Sequence, residues 1–422
     1  MVKEHKCTLC GRSERDVQLF AGEHGFVCVE CIEQAHGILK ELGLSAEGGA
    51  ATGRKGRAAL ADKRALESLP KPNEMKAYLD QYVIGQDEAK KHLIVAVYNH
   101  YKRLAQYQVK GGKKQQADDV EIEKSNVIMV GTTGTGKTLM ARTIAKLLSV
   151  PFCIVDATVF TQAGYVGEDV ESILSRLLQA ADGDVEKAQK GIVFIDEIDK
   201  IARKNDNPSI TRDVSGEGVQ QSLLKLLEGS LVNVPPQGGR KHPEQKFIQV
   251  DTHDILFICG GAFDGIEKKI AQRMNTHVVG YNSVSQQFRV DPNDLLQYIE
   301  PSDLKSFGLI PEIIGRLPVL TALRPLDREA LMSILTEPKN AITKQYVRLL
   351  EMDGIKLTFT QDALDFIVDK AVQYKLGARG LRGITENIMT DVMFEAPEGK
   401  VKELVIDKAF AEAHYTDLRF GA

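Results

Sequence analysis

The sequence predicts an α/β protein: a parallel sheet flanked by helices, then a smaller, mainly helical domain, with a compact cysteine-bearing block ahead of both. Three observations predict it. Short apolar, β-branched runs alternate with amphipathic stretches of helical period between about residues 69 and 320. A glycine-rich turn joins one of those runs to the helix after it. Four of the six cysteines fall in two C-x-x-C pairs within the first 31 residues.

The chain has 422 residues, more than the roughly 250 at which single cores stop growing. Four segments are expected: a metal-binding block over 1–44, a flexible linker over 45–68, a large domain over 69–320 and a small C-terminal domain over 321–422. The linker assignment rests on "SAEGGAATGRKGRAALADKR", which lacks steady apolar periodicity. A formal net charge of −4 argues against a general nucleic-acid binder. No apolar run approaches the roughly 20 residues needed to span a bilayer, and no signal-peptide pattern opens the chain. A cytoplasmic protein with no membrane partner is therefore expected.

Cys7, Cys10, Cys28 and Cys31 have the spacing C-x2-C-x17-C-x2-C, which fits four thiolates around a tetrahedral Zn2+. Each pair presents two sulfurs on one turn, and a hairpin between them would bring the pairs together. With every position filled by cysteine, no coordination site stays open, so the metal would be structural. A redox role is disfavoured, because neither pair lies beside a βαβ unit. Cys153 and Cys259 fall inside predicted strands and read as small buried hydrophobes.

The runs "SNVIMVG", "PFCIVDA", "GIVFIDEID" and "DILFICGG" predict buried parallel strands. Helices are predicted in "KTLMARTIAKLLS", "DVESILSRLLQAA", "GVQQSLLKLLEGS" and "IEKKIAQRM". Beyond about residue 320 come a long helix, a strand "IKLTFT", the helix "DALDFIVDKAVQY", a helix after "GARG" and a strand "VKELVID".

Residues 131–138 read GTTGTGKT, matching the phosphate-binding loop G-x-x-x-x-G-K-[ST] with the strand before and helix after that its mechanism needs. Gly131, Thr132, Thr133, Gly134, Thr135 and Gly136 would curl their N–H groups toward phosphate oxygens, at a helix N-terminus that favours anions. Lys137 would reach the outer phosphates of ATP, the Thr138 hydroxyl would ligate Mg2+, and Leu139 would follow at the edge of the site. The downstream run "GIVFIDEIDK" ends a strand in Asp196 and Glu197, where ligands bind in open α/β sheets. Asp196 would hold magnesium through water, and Glu197 would activate the attacking water. The acid pair indicates a hydrolase rather than a nucleotide carrier.

With the phosphate loop, the acid pair and the cysteine block, the stretches "YVIGQDEAKKHL", "LIPEIIGRLPV", "LGARGLRGI", "AGYVGEDVES" and "PPQGGRKHPEQ" resemble AAA+ ATPases, and the ClpX family in particular, across nearly the whole chain. "YVIGQDEAKKHL" resembles the family's adenine-contacting segment and implies nucleotide contacts at Val83 and Ile84. "LIPEIIGRLPV" resembles the arginine-finger segment, with Arg316 acting on a neighbour's nucleotide, and "LGARGLRGI" resembles the second sensor motif, with Arg379. The finger implies a ring, in this family a homo-hexamer. "AGYVGEDVES" is similar to the first pore loop and implies substrate contacts at Tyr165 and Val166. "NDNPSITRDVSGEGVQQSLLKLLEG" resembles the second pore loop and its following helix, and "PPQGGRKHPEQ" the cationic loop at Arg240, Lys241 and His242. The resemblance implies an ATP-dependent unfoldase, without peptidase activity of its own, that serves a ClpP-type peptidase and receives tagged or unfolded substrates and adaptors at its zinc domain. One departure stands out: Val279-Gly280-Tyr281 replaces the family's usual I-G-F docking tripeptide. A stand-alone chaperone is therefore an alternative. A DNA-remodelling ATPase is another, weakened by the acidic net charge and the aromatic pore loop.

Overall fold

A computed structural model of the chain describes residues 5–13, 17–22, 25–41, 69–108, 122–161, 168–203, 216–235, 247–276, 294–375, 377–396 and 402–415. The chain divides into two compact units, Met1–Ala61 and Asp62–Ala422.

In the first unit, β1 (Leu19–Gly22) and β2 (Gly25–Cys28) form an antiparallel hairpin, followed at once by helix α1 (Val29–Glu41). The hairpin lies between the two cysteine pairs, as their spacing predicts. Only the first pair sits on a turn of its own, where Gly11 (φ +78°) closes the chain back. The second straddles the strand-to-helix junction, with Cys28 ending β2 and Cys31 in the first turn of α1.

The second unit opens with α2 (Pro72–Asp80) and α3 (Asp87–Gln108). The α/β core then runs β3 (Val127–Val130), α4 (Lys137–Leu148), β4 (Phe152–Asp156), α5 (Ser172–Ala180), α6 (Val185–Ala188), β5 (Ile192–Asp196), α7 (Glu217–Glu228), a hairpin of β6 (Leu231–Val234) and β7 (Ile248–Asp251), β8 (Leu256–Gly261), α8 (Ile266–Thr276), α9 (Pro301–Phe307), α10 (Pro311–Gly315) and β9 (Val319–Ala322). Five strands form one parallel sheet in the order β4-β5-β8-β3-β9.

Every residue of β3 and β8 is buried, because helices cover both faces. The alternation of the strands sorts their side chains into two cores. Ile128, Val130, Val193, Ile195, Phe257 and Cys259 pack with α5, α7 and α8 on one face. Val127, Met129, Ile192, Phe194, Leu256 and Ile258 pack with α2, α3 and α4 on the other. Each such side chain contributes about 1.5–3 kcal/mol by burial. The fit leaves no slack at Gly260, where a Cβ would lie 2.6 Å from Cζ of Phe194. Cys153 and Cys259 are buried as expected, and burial pushes both thiols up to about 12.

The order of strands makes the site. From β3 the chain passes over β8 and β5 to β4, then returns inward, so the C-terminal ends of β3, β8 and β5 stand side by side at a crossover crevice. Gly131 N–H donates to Gly261 O at 3.1 Å, so the glycine-rich loop departs directly from the sheet.

The small C-terminal part has its own core. It comprises α11 (Arg328–Thr336), α12 (Ile342–Met352), β10 (Lys356–Phe359), α13 (Gln361–Gln373), α14 (Gly377–Glu395), β11 (Glu403–Ile406) and α15 (Lys408–His414), with β10 and β11 parallel. Three sequence expectations need correction. The single long helix is two, because Pro338 cannot sit in a helix interior and breaks the run between α11 and α12. The helix expected after "GARG" contains it, since α14 starts at Gly377 (φ +58°). The segment "VLTA" at the expected domain boundary is β9, the fifth strand. Among the described residues, no helix is long and apolar enough to cross a membrane.

Candidate active site and metal centre

A cavity of about 680 Å3 opens between the crossover crevice and the small C-terminal part, a volume within the range of about 300–1,000 Å3 usual for ligand pockets. One wall carries Thr133, Gly134, Gly136, Lys137, Thr138 and Leu139, together with Asp196 and Glu197. The opposite wall is made by α11, α12 and the start of α14, which bring Ile334, Gln345, Arg379 and Arg382. Sequence reasoning singled out the first wall, and Arg379 alone on the second.

Backbone conformation explains the glycines. Gly134 (φ +86°) and Gly136 (φ +103°) occupy the left-handed region, where a side chain is strained. Gly136 caps α4 and turns that helix's N-terminus toward the cavity. Gly134 also comes close to α14: a Cβ there would lie 3.4 Å from Ala378 N and 3.7 Å from Arg379 N. Thr135 donates its hydroxyl to Thr132 O at 2.8 Å, closing the loop on itself.

The Lys137 ammonium is buried and donates to the carbonyls of Gly131 and of Thr132, the latter at 3.0 Å. Burial pulls it below the ordinary lysine range, while the carboxylates of Asp196 and Asp199 hold it up. A buried cation leaning on its own loop's carbonyls is poorly compensated, and phosphate oxygens would supply the missing charge. Thr138 Oγ1 donates to Asp196 Oδ2 at 3.1 Å, so a hydroxyl and a carboxylate face each other as ligands of a hard divalent cation do. These residues fit ATP with Mg2+. Glu197, whose backbone N–H donates to Asp196 Oδ1 at 3.0 Å, has φ +57° and an exposed side chain. A left-handed glutamate directly after a buried strand is a local strain of about 1–3 kcal/mol, and such strain gathers at functional sites.

The adenine-side residues need a finer statement. The cavity wall contains Tyr82 rather than Val83 or Ile84. Val83 is buried, with Cγ1 3.8 Å from the Cβ position of Gly136, and Ile84 is half-buried. Just beyond them, Gln86 donates through Nε2 to Arg324 O at 2.8 Å and accepts the Arg324 N–H at 2.9 Å. That two-point contact ties the segment to the connection between β9 and α11.

Sequence reasoning missed Asp199, Lys200 and Arg382. Asp199 is buried, accepts the Ala262 N–H at 3.1 Å and pairs with Lys200 at 3.2 Å, linking the ends of β5 and β8. Its place three residues after Asp196 was the available signal. Arg382 follows Arg379 by three residues on α14, the spacing of one helix face.

Arg316 lies outside the cavity, at the C-terminal cap of α10, and its Nε and Nη2 donate to Glu228 Oε1 at 3.2 and 2.9 Å. Tyr165, Val166, Arg240, Lys241, His242 and Val279–Tyr281 lie outside the described residues. The β6–β7 hairpin brackets the segment holding Arg240, Lys241 and His242.

In the first unit, the ligating sulfurs of Cys7, Cys10, Cys28 and Cys31 lie within 4.8 Å of one another, with Cys10 Sγ and Cys28 Sγ 3.5 Å apart. A tetrahedron with Zn–S bonds of about 2.3 Å has edges of about 3.8 Å, so the cluster fits one Zn2+. Backbone N–H groups converge on Cys7, that of Cys28 at 3.3 Å from its Sγ. These donors, Cys10's foremost, pull the Cys7 thiol down to about 6. Hydrogen bonds with the neighbouring thiols, Cys28 first, push Cys31 up to about 12. Four thiols so close compete for protons, and a divalent cation at their centre would remove that competition.

The comparisons agree with this geometry. Residues 5–41 match the ClpX C4-type zinc finger, residues 122–320 the AAA domain (Cdc48 subfamily), and residues 326–406 the C-terminal, D2-small domain, of ClpB protein. The ATP-dependent Clp protease ATP-binding subunit ClpX of Bacteroides thetaiotaomicron is 66% identical over 408 residues, covering 96% of this chain and 95% of that protein. Its counterpart in Bacteroides fragilis is also 66% identical, over 96% and 94% of the two chains. The one in Porphyromonas gingivalis is 64% identical over 412 residues, 97% and 96% of each. The enzyme is an ATPase that uses ATP, Mg2+ and a structural Zn2+, and the chain belongs to the ClpX family.

Proposed function

We propose that the chain is an ATP-dependent protein unfoldase that assembles as a homo-hexamer, draws polypeptides through its central pore and delivers them to a ClpP-type peptidase in the cytoplasm. The observation that carries this reading is the two-sided cavity: one wall belongs to the sheet and the other to the small C-terminal part. Nucleotide bound there touches both, so its turnover changes their relative orientation and can be converted into movement of attached loops.

Each assigned residue takes one role in that cycle. Lys137 and the backbone of Gly131–Gly136 hold phosphates, Val83 and Ile84 back the base side, and Leu139 covers the rim. Thr138 and Asp196 would hold Mg2+, which neutralises charge on the phosphates when bound. Glu197 accepts a proton from the attacking water. Arg379, in the same subunit, and Arg316, from a neighbour, donate to the charge that develops on the transferred group. Tyr165 and Val166 grip the polypeptide by apolar contact that does not read its sequence. Arg240, Lys241 and His242 attract substrate tails at the entrance.

The names of the relatives support an association with a Clp protease, and by its resemblance to the family the zinc block, which matches the ClpX C4-type zinc finger, is assigned the receiving of substrates and adaptors. Purified chain, ATP and a ClpP-type peptidase, given a folded tagged reporter, should degrade it only when all three are present. Unfolding without degradation would instead make this a stand-alone chaperone, and turnover stimulated by DNA alone would sink the unfoldase reading. Tyr165→Ala should keep ATP turnover and lose reporter unfolding; undiminished unfolding would end the pore-grip assignment.

A further inference from the structure

Arg316 is held at two points, by its main chain and by its side chain. Its carbonyl accepts from Asn126 Nδ2 at 2.9 Å, and Asn126 is 1% exposed. The same amide donates to Leu227 O at 3.3 Å and accepts the Phe257 N–H through Oδ1 at 3.2 Å. One buried side chain thus joins four segments: the residue before β3, the end of α7, the interior of β8 and the cap of α10. The guanidinium is held one residue beyond Leu227, by Glu228, the last residue of α7. Both contacts go to a single carboxylate oxygen and use the Nε–Nη2 edge. Among the described residues, Nη1 has no partner. The pair is half-exposed, at 52% and 42% of the two side chains.

We propose that Glu228 and Asn126 are positioning residues for Arg316: Asn126 sets the height of its backbone and Glu228 the direction of its guanidinium. This rests on the reading of Arg316 as the arginine that acts on a neighbouring subunit's nucleotide. An arginine on a surface loop samples many rotamers, and freezing them costs part of what its contact with an anion gains. A carboxylate that binds one edge orders the fork beforehand and leaves the other end to donate. The arrangement also places the grip on α7, whose first turn follows directly after the segment that resembles the second pore loop.

The test compares steady-state ATP turnover of the full-length protein with that of Arg316→Ala, Glu228→Ala and Glu228→Gln. Loss of a half-exposed pair should lower kcat by about two- to fivefold, with KM for ATP unchanged. Glu228→Gln, which can still accept from the guanidinium, should recover most of the loss. Glu228→Ala should also cost nothing further in an Arg316→Ala background. Mixing Glu228→Ala with Glu197→Gln subunits should restore turnover per competent site, because the neighbour then supplies a correctly held arginine. A merely structural defect would stay with its own subunit.

Wild-type turnover in Arg316→Ala would overturn the reading of Arg316, and the proposal with it. Impaired Arg316→Ala beside fully active Glu228→Ala, or a Glu228→Ala defect that mixing does not relieve, would overturn the positioning proposal alone. Asn126→Asp keeps the acceptor and removes both donors, and should lower kcat at least as far as Glu228→Ala. If its thermal unfolding shows that it does not fold, the Glu228 series still decides the matter.

Discussion

Gly134→Ala isolates what the backbone of the phosphate loop contributes. Gly134 stands at φ +86°, where an L-residue with a Cβ costs about 1–2 kcal/mol. The added methyl would lie 3.4 Å from Ala378 N, so it just fits and steric overlap adds little. The loop is short and borders a cavity, so in the free protein it can relax to escape the strain. Binding nucleotide requires the curl back, and the strain then appears in affinity. The expected result is a Kd for ADP about 5- to 30-fold weaker. The thermal unfolding midpoint of the nucleotide-free protein should hardly move. Calorimetric titration of ADP into the two proteins measures the difference. A change of less than about twofold, with the fold intact, would refute the claim that this conformation is a condition of binding.

Glu197→Gln keeps the side chain's size and removes its basicity, so ATP should still bind while turnover falls by about 10²–10⁴-fold; near-normal turnover would remove Glu197 from the chemistry. Stripping zinc with a chelator, or substituting Cys10→Ser, should speed amide exchange across residues 5–41, since so small a block draws its folding energy from the metal; protection that survives full metal loss would contradict this. Burial, assisted by the nearby cations of Arg103 and Lys124, pulls His100 down to about 3 from its ordinary 6.5. The unfolded chain takes up that proton below about pH 6.5 and the folded one does not. Stability should therefore be complete above pH 6.5 and fall as pH drops toward 3, by up to about 1.4 kcal/mol per pH unit. His100→Leu should flatten the urea midpoint over that window, and an unchanged slope would assign the acid sensitivity to other groups.

The residues along the chain determined the parts whose physics is local. A lysine after a glycine turn and a carboxylate pair at the end of an apolar run state their chemistry over a few neighbouring residues, and the paired cysteines at fixed spacing do so between residues 7 and 31. That is why Lys137, Thr138, Asp196 and the four cysteines were legible, and why four of the five sheet strands, β3, β4, β5 and β8, were too. β9 was not, since its four residues become a strand only by pairing with β3. The split of α11 from α12 was legible in Pro338, yet the period of the flanking residues concealed it.

The tertiary structure decided what no spacing encodes: that Asp196 meets Thr138, that Gly134 touches the start of α14, and that Arg382 and Asp199 share a cavity with the phosphate loop. It also showed that Asn126 and Glu228 hold Arg316 from positions 190 and 88 residues away in the chain. The reason is the crossover. Periodicity says which residues face inward, but the strand order β4-β5-β8-β3-β9 chooses which inward residues become neighbours. That choice is made by packing between segments far apart in sequence.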